Sequence, residues 1–139
     1  MGVIEKTIEK DGELTVFVAV GEVSADEIGR AIRKFYSEGP VTRNVLWDLS
    51  RARVEDITRD DIRRIIGAPE KSHEGRRGGR TAIVAPDDLA FGLSRMYQAS
   101  LGEAFLVFQL RVFRETAAAR RWLDGLDNGD RHERKMADR

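Results

Sequence analysis

Residues Thr81–Gly102 read TAIVAPDDLAFGLSRMYQASLG, and the reading of this stretch decides the fold. Thr81–Ala85 is short and apolar, with Ile83 and Val84 inside it and Gly79 and Pro86 on either side. Such a run suits a strand covered on both faces. Pro86 has no N–H to give a ladder, so the strand stops there. Asp87 or Asp88 then accepts from the free amides of a first helical turn, where its charge also suits the helix dipole. Leu89, Leu93, Met96, Tyr97 and Leu101 follow on one helical stripe, and Gly102 stops it. Phe91 lies off the centre of that stripe, at the rim or facing a pocket. The stretch is one βα unit, and the rest of the chain repeats its grammar.

Upstream, Val3–Glu9 and Glu13–Val20 flank Lys10-Asp11-Gly12, and Asp-Gly between two such runs signals a hairpin. In the second run Leu14, Val16, Val18 and Val20 share one face while Phe17 and Ala19 share the other, so it reads as an interior strand. The first run is more polar, as an edge strand should be. Ser24 and Glu27 make a capping-box pattern ahead of Ala25, Ile28, Ile32, Phe35 and Tyr36, the stripe of a first helix that Gly39-Pro40 ends. Asn44–Leu49 is a third strand and Ser50–Asp56 a connecting loop. Thr58 fits the N-cap of a second helix that carries Ile62, Ile65 and Ile66 and is limited by Gly67-Ala68-Pro69.

Gly75–Arg80, GRRGGR, reads as a solvated loop, with an anion contact by Arg76, Arg77 and Arg80 as the alternative. It lacks the Lys-Ser/Thr ending of a P-loop. Phe105–Phe113 reads as a long alternating strand, and Ala118, Trp122 and Leu126 mark a last helix packed on the sheet. Residues 1–126 form one domain and 127–139 a polar tail. A leading hairpin followed by strand–helix alternation implies an α/β fold. Its mostly parallel sheet has about five strands, the first antiparallel, with about four helices.

Composition excludes several functions. Lys plus Arg is 24 and Asp plus Glu is 24, a balance that argues against nucleic-acid binding. Without cysteine there is no disulfide, thiol catalysis or cysteine-ligated zinc. No apolar run approaches the ~20 residues of a membrane span. A cytoplasmic location is the expectation. His73 and His132 have no partner at metal-ligand spacing, and Ser50 and Ser94 lack a nucleophile-elbow context. No metal site, catalytic residue or cofactor is therefore expected, and the chain reads as a protein other than an enzyme. Asp48, Asp87 and Asp88 at strand ends offer one alternative, a Mg²⁺-dependent acidic pocket for phosphotransfer. The acidic pair of a receiver domain falls here on Gly21-Glu22, however, and caps or turns explain these aspartates more simply. The remaining candidate is apolar. Trp47, Phe91, Met96, Tyr97, Phe105 and Phe108 are placed to line a gap between the sheet and the second and third helices.

The runs NVLWDLSRARVEDITRDDI, TAIVAPDDLAFGLSRMYQ and VFRETAAARRWL resemble the SpoIIAA-like proteins. These are small bacterial domains related in fold to STAS domains, the anti-sigma-factor antagonists, and to CRAL-TRIO lipid-binding domains. The resemblance covers roughly Val3 to Leu126 and rests on hydrophobic patterns. It implies a regulatory or interaction module that docks another protein or holds a small apolar ligand or lipid. An exposed helix face or the edge strand leaves a homodimer open. STAS antagonists are switched by phosphorylation of a serine after an aspartate at the start of the second helix. Here the aspartate falls on Asp56 and the phosphoacceptor on Ile57, which has no hydroxyl. Thr58, one residue on, is the nearest substitute and the candidate phosphorylation site.

Overall fold

The computed structural model describes residues 2–65, 73–102 and 106–126. Among these residues five strands form one sheet in the order β1-β2-β3-β4-β5. They are β1 (Val3–Glu9), β2 (Leu14–Glu22), β3 (Asn44–Arg53), β4 (Arg80–Val84) and β5 (Gln109–Phe113). The first pair is antiparallel and the remaining neighbours are parallel. The hairpin turns through Lys10, Asp11 and Gly12, whose φ angles are 58°, 55° and 89°. Asp and Gly there hold positive φ with the least strain.

Among the described residues four α-helices cover the sheet: α1 (Ala25–Glu38), α2 (Arg59–Ile65), α3 (Asp88–Leu101) and α4 (Thr116–Leu123). Three of their starts are set by local side-chain chemistry. Ser24 and Glu27 exchange bonds with each other's backbone at α1, and Thr58 and Asp61 do the same at α2. Asp87 accepts from the Ala90 amide at α3, 3.0 Å away. Each such cap is worth about 1 kcal/mol.

Side-chain alternation divides the core into two layers. On one face Leu14, Val16, Leu46, Ala82 and Val84 pack against Ala119, Trp122 and Leu123 of α4. On the other, Phe17, Val45, Ile83 and Leu110 meet α1 and α3. Near the carboxyl ends of the strands Val54, Ile57, Ile62 and Ala90 close that second layer through α2 and α3.

Several elements depart from the sequence reading. Strand β3 runs on to Arg53, because β2 offers it backbone partners as far as Glu22 across a register shift between Val18 and Val20. Strand β5 starts at Gln109; Leu106–Phe108 lie outside the ladder, although Leu106 and Phe108 still pack beside Leu110. Phe105, Ile66, the Gly67-Ala68-Pro69 stop, His132 and the 127–139 tail fall outside the described residues. Leu126 is 66% exposed instead of packed. The reason is a Schellman ending to α4: Gly125, at φ 73°, donates to Trp122 O and Leu126 to Arg121 O. The turn carries the chain off the sheet, so Ala119, Trp122 and Leu123 are the buried contacts. In α3, Leu89 is exposed while Ala90, Ser94 and Leu101 are buried, so the inward stripe is rotated from the expected one.

Candidate functional site

The second layer is not filled. Between the sheet and α1, α2 and α3 lies a partly enclosed gap with about 110 Å³ of free space. Its floor is Phe17, Val45, Trp47, Thr81, Ile83 and Leu110, the alternate residues of β2 to β5. Helix spacing supplies the roof. Ile28, Ile32, Phe35 and Tyr36 come from α1, Ile62 and Ile65 from α2, and Ala90, Leu93, Ser94, Tyr97 and Leu101 from α3. Phe17 and Trp47 stack at 4.4 Å and Phe17 meets Phe35 edge-on at 6.0 Å, so this wall is a fixed aromatic surface.

Of the residues singled out in the sequence, Trp47, Tyr97 and Phe108 line the gap. Phe91 and Met96 do not line it. Because α3 turns Ala90 and Ser94 inward, Phe91 points to the rim, where the Arg114 guanidinium covers its ring at 4.2 Å. Met96 packs instead with the Val54, Ile57 and Ile62 cluster.

The polar element of the gap comes from GRRGGR. That segment is a solvated connection only in part: Gly75, Arg77 and Gly78 are exposed, while Arg76 and Gly79 are buried. Glu74–Arg76 is a 3₁₀ turn, and Arg76 is only 2% exposed. Its three guanidinium nitrogens donate to three neutral oxygens: Nε to Arg43 O at 3.0 Å, Nη1 to the Tyr36 hydroxyl at 2.9 Å, and Nη2 to Thr81 Oγ1. The Phe108 ring lies 4.1 Å from the guanidinium carbon. Burial pulls the Arg76 pKa below its ordinary value, and the Tyr36 and Tyr97 phenols oppose that pull. An arginine stays protonated all the same. Among the described residues no carboxylate pairs with it.

The three arginines of the segment do not act together. Arg77 is exposed and pairs with Glu74, while Arg80 crosses to the opposite face, lies 5.0 Å over Trp122 and donates to Trp122 O. Gly79 makes the tight course possible, since a Cβ there would stand 1.9 Å from Arg43 O. Arg76 lies in a turn outside the strands and its partners are 33 and 40 residues away, so no local pattern marks its role.

The aspartates are occupied locally. Asp48 accepts from the Ser50 amide and hydroxyl at 2.9 and 2.6 Å, Asp87 caps α3, and Asp88 meets Arg114 at 2.7 Å. Asp48 shares the face of Leu46, towards α4, whereas Asp87 starts a helix on the other side. Among the described residues no group of three or more carboxylate, histidine or cysteine side chains is placed to hold a metal ion. His73 Nδ1 accepts from the Gly75 amide at 3.0 Å. Thr58 is exposed, with its hydroxyl oxygen engaged by the Asp61 amide. Among the described residues no helix is long and apolar enough to cross a membrane.

The architecture can be compared with solved structures. An uncharacterized protein of the DUF3478 family from Shewanella loihica PV-4, described as having a SpoIIAA-like fold, superposes with a TM-score of 0.52 at 17% identity. The match covers 88% of this chain and 93% of that one. The chain has a SpoIIAA-like fold. The unphosphorylated anti-sigma factor antagonist SpoIIAA itself aligns at a TM-score of 0.41 and 15% identity, over 85% of this chain and 96% of its own. No protein-family model matches the sequence, and no curated protein matches it. The SpoIIAA-like fold therefore rests on the α/β topology described above, and the gap is a property of this chain's own side chains.

Proposed function

We propose that this SpoIIAA-like domain is a non-enzymatic regulatory or interaction module that works by holding a small apolar ligand between its sheet and the α1–α3 layer. The observation that carries the reading is the unfilled gap walled by Trp47, Ile83, Leu93, Tyr97 and Phe108. Protein interiors otherwise pack to crystal density, with few voids larger than a water. Size narrows the guest. An engineered cavity of about 150 Å³ takes benzene, so about 110 Å³ suits a small ring or a short chain. A full lipid tail requires the helices to part or the chain to leave through the open side. The local engagement of Asp48, Asp87, Ser50 and Thr58 in turns and caps supports a binding role over catalysis or a phosphoryl switch.

Native mass spectrometry of the purified protein, followed by organic extraction, tests this reading. The expected result is a stoichiometric apolar adduct that disappears on denaturation, or one that forms when a small apolar compound is added. A protein that stays free of adduct with every such compound refutes the ligand reading and leaves docking of another protein as the function.

A further inference from the structure

The Arg76 guanidinium sits in the wall of an apolar gap, an expensive place for a charge. Taking an ion out of water is costly unless a counter-ion and full hydrogen bonding offset it. Arg76 has hydrogen bonds to three neutral oxygens and the face of Phe108, but no anion among the described residues. A guanidinium carries five N–H donors. Each Nη therefore has one N–H beyond those given to Tyr36 and Thr81, donors enough for a planar carboxylate. Both anchoring residues also line the gap. Tyr36 lies in the last turn of α1 and Thr81 is the second residue of β4, so the guanidinium is held at the amino end of the parallel strands. The far wall, Val54, Ile57, Ile62 and Ala90, is wholly apolar.

We infer that the ligand of this gap is a small apolar carboxylate. Its head meets Arg76 at the amino end of the strands, and its hydrocarbon part lies between Trp47, Ile83 and the α3 residues Leu93 and Tyr97. The inference rests on the apolar-ligand reading above and adds the chemistry of the head group. A ring acid or a short-chain acid matches the free space; a neutral hydrocarbon leaves the buried charge without an anion.

The test compares hexanoate with 1-hexanol at neutral pH, where the acid is ionised. Trp47 lines the gap and Trp122 is fully buried on the other face, so tryptophan fluorescence reports the titration. Hexanoate should bind about ten- to a hundredfold tighter than hexanol, the effect of hydrogen bonds between two charged partners. Arg76→Met should erase or invert that preference, and Arg76→Lys should keep only part of it, having the charge without the fork. If Arg76→Met does not fold, the wild-type comparison and Arg76→Lys still decide. Equal binding of hexanoate and hexanol overturns the head-group assignment and leaves the apolar-ligand reading standing. Binding of neither overturns both. An unchanged preference in Arg76→Met or Arg76→Lys places the carboxylate elsewhere and overturns the assignment.

Discussion

Replacing Ser94 by leucine distinguishes a real gap from a packed core, because the two cases differ in sign. Ser94 lies in the middle of α3, is buried, and faces the free space. Ser94→Ala is the reference, since it removes the hydroxyl and matches leucine closely in helix propensity. Relative to alanine, leucine adds three carbon groups. Each needs about the volume share of a water, ~30 Å³, or roughly 90 Å³ for the three. That is within the free space of about 110 Å³. At ~0.8 kcal/mol per buried methylene, the gain is up to ~2.4 kcal/mol. For a chain of this size that raises the melting temperature by about 7 °C. Into a packed layer the same three carbons force side chains off their rotamers, and the cost is about 1–3 kcal/mol. Urea unfolding of the two variants, checked for an unchanged m-value, reads the difference directly. Ser94→Leu should be the more stable protein and should lose hexanol binding, having filled the site. A Ser94→Leu protein less stable than Ser94→Ala refutes the argument from free space.

The opposite face supplies a contrast. Trp122→Ala removes a side chain with 0% exposure from a filled layer and should cost about 3–5 kcal/mol in chemical unfolding. Thr58→Ala removes one half of the reciprocal cap on α2 and should cost about 0.5–2 kcal/mol. The Glu9–Arg120 bridge ties β1 to α4, and the Arg120 hydrogen bonds hold the Glu9 carboxyl below its ordinary pKa of 4.5. A depressed carboxyl pKa stabilises the fold above the unfolded value and ceases to do so as pH falls through the folded one. Wild type should therefore exceed Glu9→Gln in stability at neutral pH, with the difference vanishing in a pH series taken below 4.5. Glu22 shows the reverse. The neighbouring Asp56 side chain favours its protonated form and raises its pKa, so the ionised Glu22 carboxylate opposes folding at neutral pH. Glu22→Gln should show a flatter stability profile on the alkaline side of 4.5 than wild type.

What could be read in the sequence was local chemistry. Ser24 with Glu27, Asp87 ahead of α3, and the Lys10-Asp11-Gly12 turn each act within a few residues, so their signals survive without any tertiary knowledge. The two-faced pattern of Leu14–Val20 likewise placed β2 inside the sheet. What could not be read depends on distant partners. Arg76 is buried because Arg43 and Tyr36, 33 and 40 residues away in the chain, present oxygens to it. The extension of β3 follows from the length of β2. The inward face of α3 is set by its packing against α2 and β5, which moves Phe91 and Met96 away from the gap and brings Ala90 and Ser94 to it. The aromatic side chains drew attention in the sequence, whereas the space itself is opened by the small ones.

The central claim is that the sheet and the α1–α3 layer enclose a place for an apolar guest. The most direct measurement is a titration of the isotope-labelled protein with 1-hexanol, followed by two-dimensional NMR. The account predicts saturable shifts at Trp47, Ile83, Ser94 and Tyr97, with Val84 and Trp122 on the opposite face unmoved. No saturable change, or shifts confined to the exposed edge of β1 at Val3 and Ile8, would contradict it.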